Sequence, residues 1–157
     1  MVDSNGFIHS SCISKLYTRD GSRVPHLLKG IDGEIGSLTG DKGYDQRSVY
    51  RTVQKRNKDL AMVIHPRVNA VMSKSKEWTK RDRHVQKSID DGLYTWRRES
   101  GYYQQSKVEN TFYRYKRIIG KNLRARTEEG REVEAKIACG ILNRFLELGR
   151  VQAERVA

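Results

Sequence analysis

Residues 35–45 read IGSLTGDKGYD: a short apolar run stops at Gly40, and a carboxylate, Asp41, follows at once. Gly, Asp and Lys are ordinary turn residues, so GDKG can simply close a strand. An acid at the mouth of a strand is also where chemistry is often placed. A second acid of interest, Glu109, lies in GYYQQSKVENTFYRYK. In a helix, residues seven apart return to nearly the same face and residues four apart are neighbours. Tyr102, Gln105, Glu109 and Lys116 therefore project toward one side, with Tyr102 at or just before the helix start. The basic residues around this polar cluster could hold a phosphate backbone. A solvated acid paired with Lys116 or Arg114 is the simpler alternative, and spacing alone leaves it open.

The global charge favours the phosphate reading. The chain of 157 residues carries a formal net charge of +12 and a pI near 9.9, an excess that suits a polyanion such as nucleic acid. Between Arg97 and Arg126 nine Lys or Arg residues face two acids, Glu99 and Glu109. No stretch approaches the roughly 18 apolar residues of a membrane span, and MVDSNGFIHSSC lacks the pattern of a signal peptide. A cytoplasmic location is expected. Cys12 and Cys139 are far apart among apolar neighbours and read as small core residues of a reducing compartment. The four histidines are scattered, without the spacing of a zinc site.

These side chains need a scaffold. GFIHSSCIS reads as a strand over 7–14 after an Asp-Ser-Asn-Gly turn, and SRVPHLLKGI as a short helix begun near Pro25. EIGSLTGD is a second strand ending at Asp41. DQRSVYRTVQKRN places Val49, Tyr50 and Val53 at helical spacing with Asp45 as N-cap. LAMVIHP is a continuous apolar run, suited to a strand buried on both faces. Residues 67–100 form a polar insertion of weak helical character. Two helices follow. The first spans roughly 104–119, with Val108, Phe112, Tyr115 and Ile119 as its apolar stripe and Gly120 as its stop. The second spans roughly 127–148, with Val133, Ile137, Ile141, Leu142, Phe145 and Leu148 on its apolar face. The order predicts one α/β domain in three parts: 1–66, 67–100 and 101–157.

GDKGYD resembles the second-aspartate motif of bacterial insertion-sequence DDE transposases. Tyr102-x2-Gln105-x3-Glu109-x6-Lys116 resembles the Y-x2-R-x3-E-x6-K signature around their third carboxylate. IDGEIGSLTGDKGYD, VIHPRVNA, GYYQQSKVENTFYRYKRIIG and EAKIACGILNRFLELG resemble that family in the same order, across almost the whole chain. The resemblance implies a ribonuclease-H-like catalytic core and DNA strand cleavage and transfer with two Mg²⁺ (or Mn²⁺) ions. Such ions take hard oxygen ligands and keep several waters. In that reading Asp41 and Glu109 are metal ligands, and Lys116 binds a phosphate beside the cleaved bond. Tyr102 touches the DNA backbone or helps place Glu109. Lys107, Arg114, Arg117 and Gln105 line the DNA, and Trp96 and Trp78 stack on unpaired bases or anchor local packing. The implied partners are duplex DNA, at transposon ends and target, and further copies in a homo-oligomer. The implied setting is the bacterial nucleoid.

Two departures qualify the resemblance. Gln105 stands where the signature has arginine, so a charged fork becomes a neutral amide. The first catalytic aspartate has no counterpart: Asp3 falls too close to Asp41 to leave room for the intervening strands, and Asp20 and Asp32 sit in turns or loops. The family's sheet order is 3-2-1-4-5, so this chain would supply strands three, four and five without the central first strand. It therefore reads as an N-terminally truncated or frameshifted portion, expected to be marginally stable, aggregation-prone or partner-dependent. The competing reading is a DNA-binding remnant without chemistry.

Overall fold

A computed structural model describes residues 1–74 and 79–149, so Trp78 lies outside the described residues. The chain divides into two compact units. One is Ser14–Ser106; the other combines Met1–Ile13 with the described residues from Lys107 onward.

The first unit is built on two short parallel strands, β1 (Ser37–Gly40) and β2 (Ala61–Ile64), paired Ser37 to Ala61 through Gly40 to Ile64. A parallel pair needs a crossover, and α2 (Arg47–Arg56) supplies it. Val49, Tyr50 and Val53 are its buried face, as their spacing predicts. Burial also holds the Tyr50 phenol well above its ordinary pKa. The N-cap of α2 is Gln46, not Asp45. Asp45 is withdrawn into a buried pair with Arg81, whose Nε and Nη2 donate to its two carboxylate oxygens at 2.6 and 3.1 Å. Before β1, the short helix α1 (Val24–Lys29) begins with Pro25 in its first turn. Arg56 braces its end by donating to the carbonyls of Leu28, Ile31 and Gly33, the last two at 2.6 and 3.0 Å. The Leu28 carbonyl also accepts from the Gly30 and Ile31 amides, so the arginine reinforces an end that the backbone has already closed.

β2 is not buried on both faces. Met62 and Ile64 are buried while Ala61 is exposed and Val63 half-buried, so the run alternates. The region expected to be weakly helical contains two well-formed helices, α3 (Lys80–Asp90) and α4 (Gly92–Glu99). A capping box starts α3, in which Thr79 and Asp82 satisfy each other's amides. Asp82 also accepts from the Ser73 amide and hydroxyl at 2.7 and 2.6 Å. Burial opposes its ionisation. The hydroxyls of Ser73 and Thr79 and the two amides overcome that and hold its carboxyl far below the usual range.

Trp96 locks these helices to the sheet. It is 0 % exposed and meets His65, His84 and Tyr102 at ring-centroid distances of 5.7, 5.7 and 5.6 Å. Its Nε1 donates to His84 Nδ1 at 3.1 Å. The His65 Nδ1 lies 2.7 Å from the Pro66 carbonyl, which can only accept, so Nδ1 carries the proton. His65 Nε2 is then left to accept from the Arg97 guanidinium at 2.8 and 3.2 Å. Burial lowers the His84 pKa below its ordinary 6.5, against a hydrogen bond to the Met62 carbonyl that raises it. The fold thus favours neutral His84, and the unfolded chain binds its proton first. Stability contributed here is complete above pH 6.5 and declines as pH falls below it. Thermal melts from pH 7.5 to 5.5 should show this decline, and His84→Asn, which keeps an acceptor for Trp96, should flatten it. An equal decline in the variant would contradict this assignment.

In the second unit, the expected strand over 7–14 is reduced to one antiparallel bridge, Val2 to Ile8. The Asn143 side chain takes both Ile8 backbone groups, its Oδ1 accepting at 2.8 Å and its Nδ2 donating at 2.9 Å, in place of a neighbouring strand. Asp3 closes the turn, accepting from the Asn5 and Phe7 amides at 2.8 and 2.9 Å and meeting the His9 ring at 3.0 Å. Two helices complete the unit, α5 (Gln105–Ile118) and α6 (Glu128–Glu147), and the first turn of α5 begins in the other unit. Gly120 follows α5 at φ 128°, a backbone state that suits only glycine well. Thr127 caps α6, accepting from the Gly130 amide at 3.0 Å.

The expected stripes hold in part: Val108 and Tyr115 of α5 and Ile119 just beyond it are half-buried and Leu142 of α6 is buried, while the other expected positions are exposed. On α5 the buried residue is Thr111, its hydroxyl satisfied by the Lys107 carbonyl at 2.9 Å, while Phe112 is 63 % exposed. On α6 Ala138 and Leu142 are buried, while Val133, Ile137, Ile141, Phe145 and Leu148 are exposed. Thr111 lies beside the Gly6 turn, where a side-chain carbon would come within 3.9 Å of its hydroxyl, and the larger apolar stripe of α6 stays exposed.

Candidate functional site

Asp41 follows β1 directly and caps a 3₁₀ turn, Lys42–Tyr44. Its Oδ1 accepts from the Gly43 amide at 2.7 Å, which fixes the carboxylate's direction. Gly40 before it is buried against the Tyr44 ring, where a side-chain carbon would come within 3.2 Å. A side-chain carbon on Gly43 would fall 2.9 Å from Asp41 Oδ1 and 3.9 Å from Asp20 Oδ2. The GDKG sequence thus leaves a gap between two carboxylates that any other residue at position 43 would fill. Turn chemistry and a strand-mouth acid are combined here rather than being alternatives. Asp20 opens a 3₁₀ turn, Asp20–Arg23, and no spacing or motif places it beside Asp41. Only the packing of the two 3₁₀ turns does so.

The second group lies on and before α5. Tyr102 precedes the helix, in the 3₁₀ turn Tyr102–Gln104, and its ring stands 5.2 Å from that of His65. Gln105 opens α5, and its side-chain oxygen is buried without a hydrogen-bond partner. Glu109, Phe112 and Lys116 are exposed and follow at helical spacing. Among the described residues Glu109 makes no ion pair, so the simple alternative, a bond to Lys116 or Arg114, is not formed. Arg114 instead donates to the Leu142 carbonyl at 3.2 Å. Lys107 and Arg117 are exposed. Trp96 is wholly buried, which favours packing anchor over base-stacking platform.

Asp41 offers one carboxylate, a hard oxygen donor of the kind divalent cations take, with one of its oxygens held by the Gly43 amide. Among the described residues no three or more His, Cys, Asp or Glu side chains are gathered into a metal-binding group. Neither cysteine is in a disulfide. No helix among the described residues is long and apolar enough to cross a membrane.

A family model described as the transposase DDE domain matches residues 1–144. No curated protein and no solved structure gives a match. The family implies a ribonuclease-H-like fold, use of divalent metal ions and DNA as partner. The small parallel sheet flanked by helices is consistent with the α/β part of that expectation. With the match spanning all but the last residues, this chain belongs to the DDE transposase family.

Proposed function

We propose that this chain is the catalytic portion of an insertion-sequence transposase of the Y-R-E-K type, which cleaves and joins DNA strands at element ends. The family match over residues 1–144 carries the proposal. Asp41 and Glu109 are metal ligands in this reading. Lys116 holds the phosphate beside the scissile bond, Tyr102 supports the glutamate helix, and Lys107, Arg114, Arg117 and Gln105 lie along the DNA. Mg²⁺ would supply activation of the attacking hydroxyl and neutralisation of the leaving oxygen. The protein side contributes oriented carboxylates and a basic surface that positions the backbone.

A third carboxylate would come from a polypeptide segment docking on β1. The amides of Ala61 and His65 donate to the Gly36 and Gly40 carbonyls, which turns the backbone groups of Ser37 and Thr39 away from β2. A two-stranded parallel sheet rarely stands alone, and the outward edge of β1 is of the kind that accepts an added strand.

Glu109→Ala separates enzyme from binding module. When the chain is supplied with the segment carrying the third carboxylate, cleavage of labelled end DNA in Mg²⁺ should be lost while DNA affinity stays within about threefold, since a removed acid does not weaken phosphate contacts. Affinity should fall with salt at a log–log slope of about −0.9 per phosphate contacted. Cleavage that survives Glu109→Ala would refute the proposal.

A further inference from the structure

We infer that Gln46 is a positioning residue that sets the orientation of the Asp41 carboxylate, acting through Gly43. The inference rests on the proposed role of Asp41 and names how that acid is held.

Gln46 occupies the N-cap of α2, where a side chain ordinarily accepts a hydrogen bond from its own helix. Here it makes no such bond. Its Nε2 reaches back to donate to the Gly43 carbonyl at 2.8 Å. The Gly43 amide in turn donates to Asp41 Oδ1 at 2.7 Å. One glycine therefore links the two side chains, its carbonyl held by Gln46 and its amide held by Asp41. The Gln46 amide nitrogen closes the same turn by donating to the Tyr44 carbonyl at 2.7 Å.

Gly21 keeps the Gln46 side chain in place. A side-chain carbon at Gly21 would come within 2.6 Å of Gln46 Nε2, 2.9 Å of its Cδ and 3.0 Å of Val49 Cγ2. The Gln46 amide, at the end of a flexible chain, would give way before the buried Val49. Gly21→Ala is thus a remote means of dislodging Gln46 without altering it. A side chain that forgoes its own helix cap, is wedged against a glycine and braces the turn under a candidate metal ligand fits the outer-shell groups that orient such ligands.

Two variants of the full chain test this. Gln46→Met keeps the length and packing but cannot donate, and Gly21→Ala displaces the amide. In the ¹⁵N-labelled chain, hydrogen exchange at the Gly43 amide should quicken about tenfold in each, while the Val53 amide in the body of α2 stays as it was. Paramagnetic broadening of the Gly43 signal by Mn²⁺ should need roughly ten- to hundredfold more Mn²⁺ in both variants. A residue that only stabilises the fold would move the Val53 exchange and the melting temperature but not the Mn²⁺ midpoint relative to them. Unchanged Gly43 exchange in both variants would overturn the inference, as would an unchanged Mn²⁺ midpoint in both when Asp41→Asn abolishes the broadening. Asp41→Asn is the separate control. If it leaves Mn²⁺ broadening intact, the metal-ligand role of Asp41 fails, and the exchange rates still decide whether Gln46 braces the turn.

Discussion

Trp96→Ala is expected to cost about 3–5 kcal/mol, the range for deleting a fully buried aromatic side chain. The residue is 0 % exposed, and its ring is surrounded by those of His65, His84 and Tyr102. Deleting it leaves a cavity between α3, α4 and the end of β2, and leaves His84 Nδ1 without its 3.1 Å donor. Trp96→Phe restores most of the volume but not that donor, so about 1–2 kcal/mol should remain lost. Urea unfolding followed by far-ultraviolet circular dichroism measures both. A loss below about 1 kcal/mol for the alanine variant would show that the tryptophan is not the packing anchor described.

Arg81→Met is expected to have a comparable effect for a different reason. The Asp45 side chain is 1 % exposed, and Arg81 binds it with two donors. Removing one partner of such a pair strands a buried charge, at a cost of about 3–5 kcal/mol. Asp45 would keep the Arg67 amide at 3.0 Å, which offsets part of that cost. The Val71 carbonyl would lose its 2.9 Å donor. A double-mutant cycle with Asp45→Asn isolates the pair: the double variant should lose clearly less than the two single losses added. Strict additivity would mean that the two side chains do not depend on each other.

The sequence announced the elements more clearly than the faces they bury. Strand ends at Asp41 and Pro66, the Pro25 helix start and the Gly120 stop all rest on local backbone chemistry, and all are found where that chemistry puts them. Helix α2 buries its predicted residues because its apolar positions form one narrow stripe. Helices α5 and α6 carry wider apolar sectors, so periodicity permits several faces and tertiary neighbours such as the N-terminal turn select one. Thr111 is buried beside the Gly6 turn, a neighbour more than a hundred residues away in sequence that no single-helix pattern reveals. Residues 67–100 were misjudged because α3 is polar and charged along much of its length. The local Thr79–Asp82 capping box starts it, and Arg81 and His84 anchor it to Asp45 and Trp96, partners that lie well away in sequence. At the site, motif spacing singled out Asp41 and Glu109, but the Gln46 brace and the nearness of Asp20 depend on turns packing together.

The most direct test of the catalytic account is a strand-transfer assay with the proposed third-carboxylate strand supplied. The DNA immediately upstream of the Met1 codon is translated in all three frames, and any segment with an apolar strand ending in aspartate is expressed together with this chain. The pair is then given a pre-cleaved element end, a target duplex and Mg²⁺. The account predicts joined product from the pair, little from the chain alone, and none when Asp41→Asn or Glu109→Gln is introduced. DNA bound without joining by such a pair, or joining indifferent to both substitutions, would contradict it.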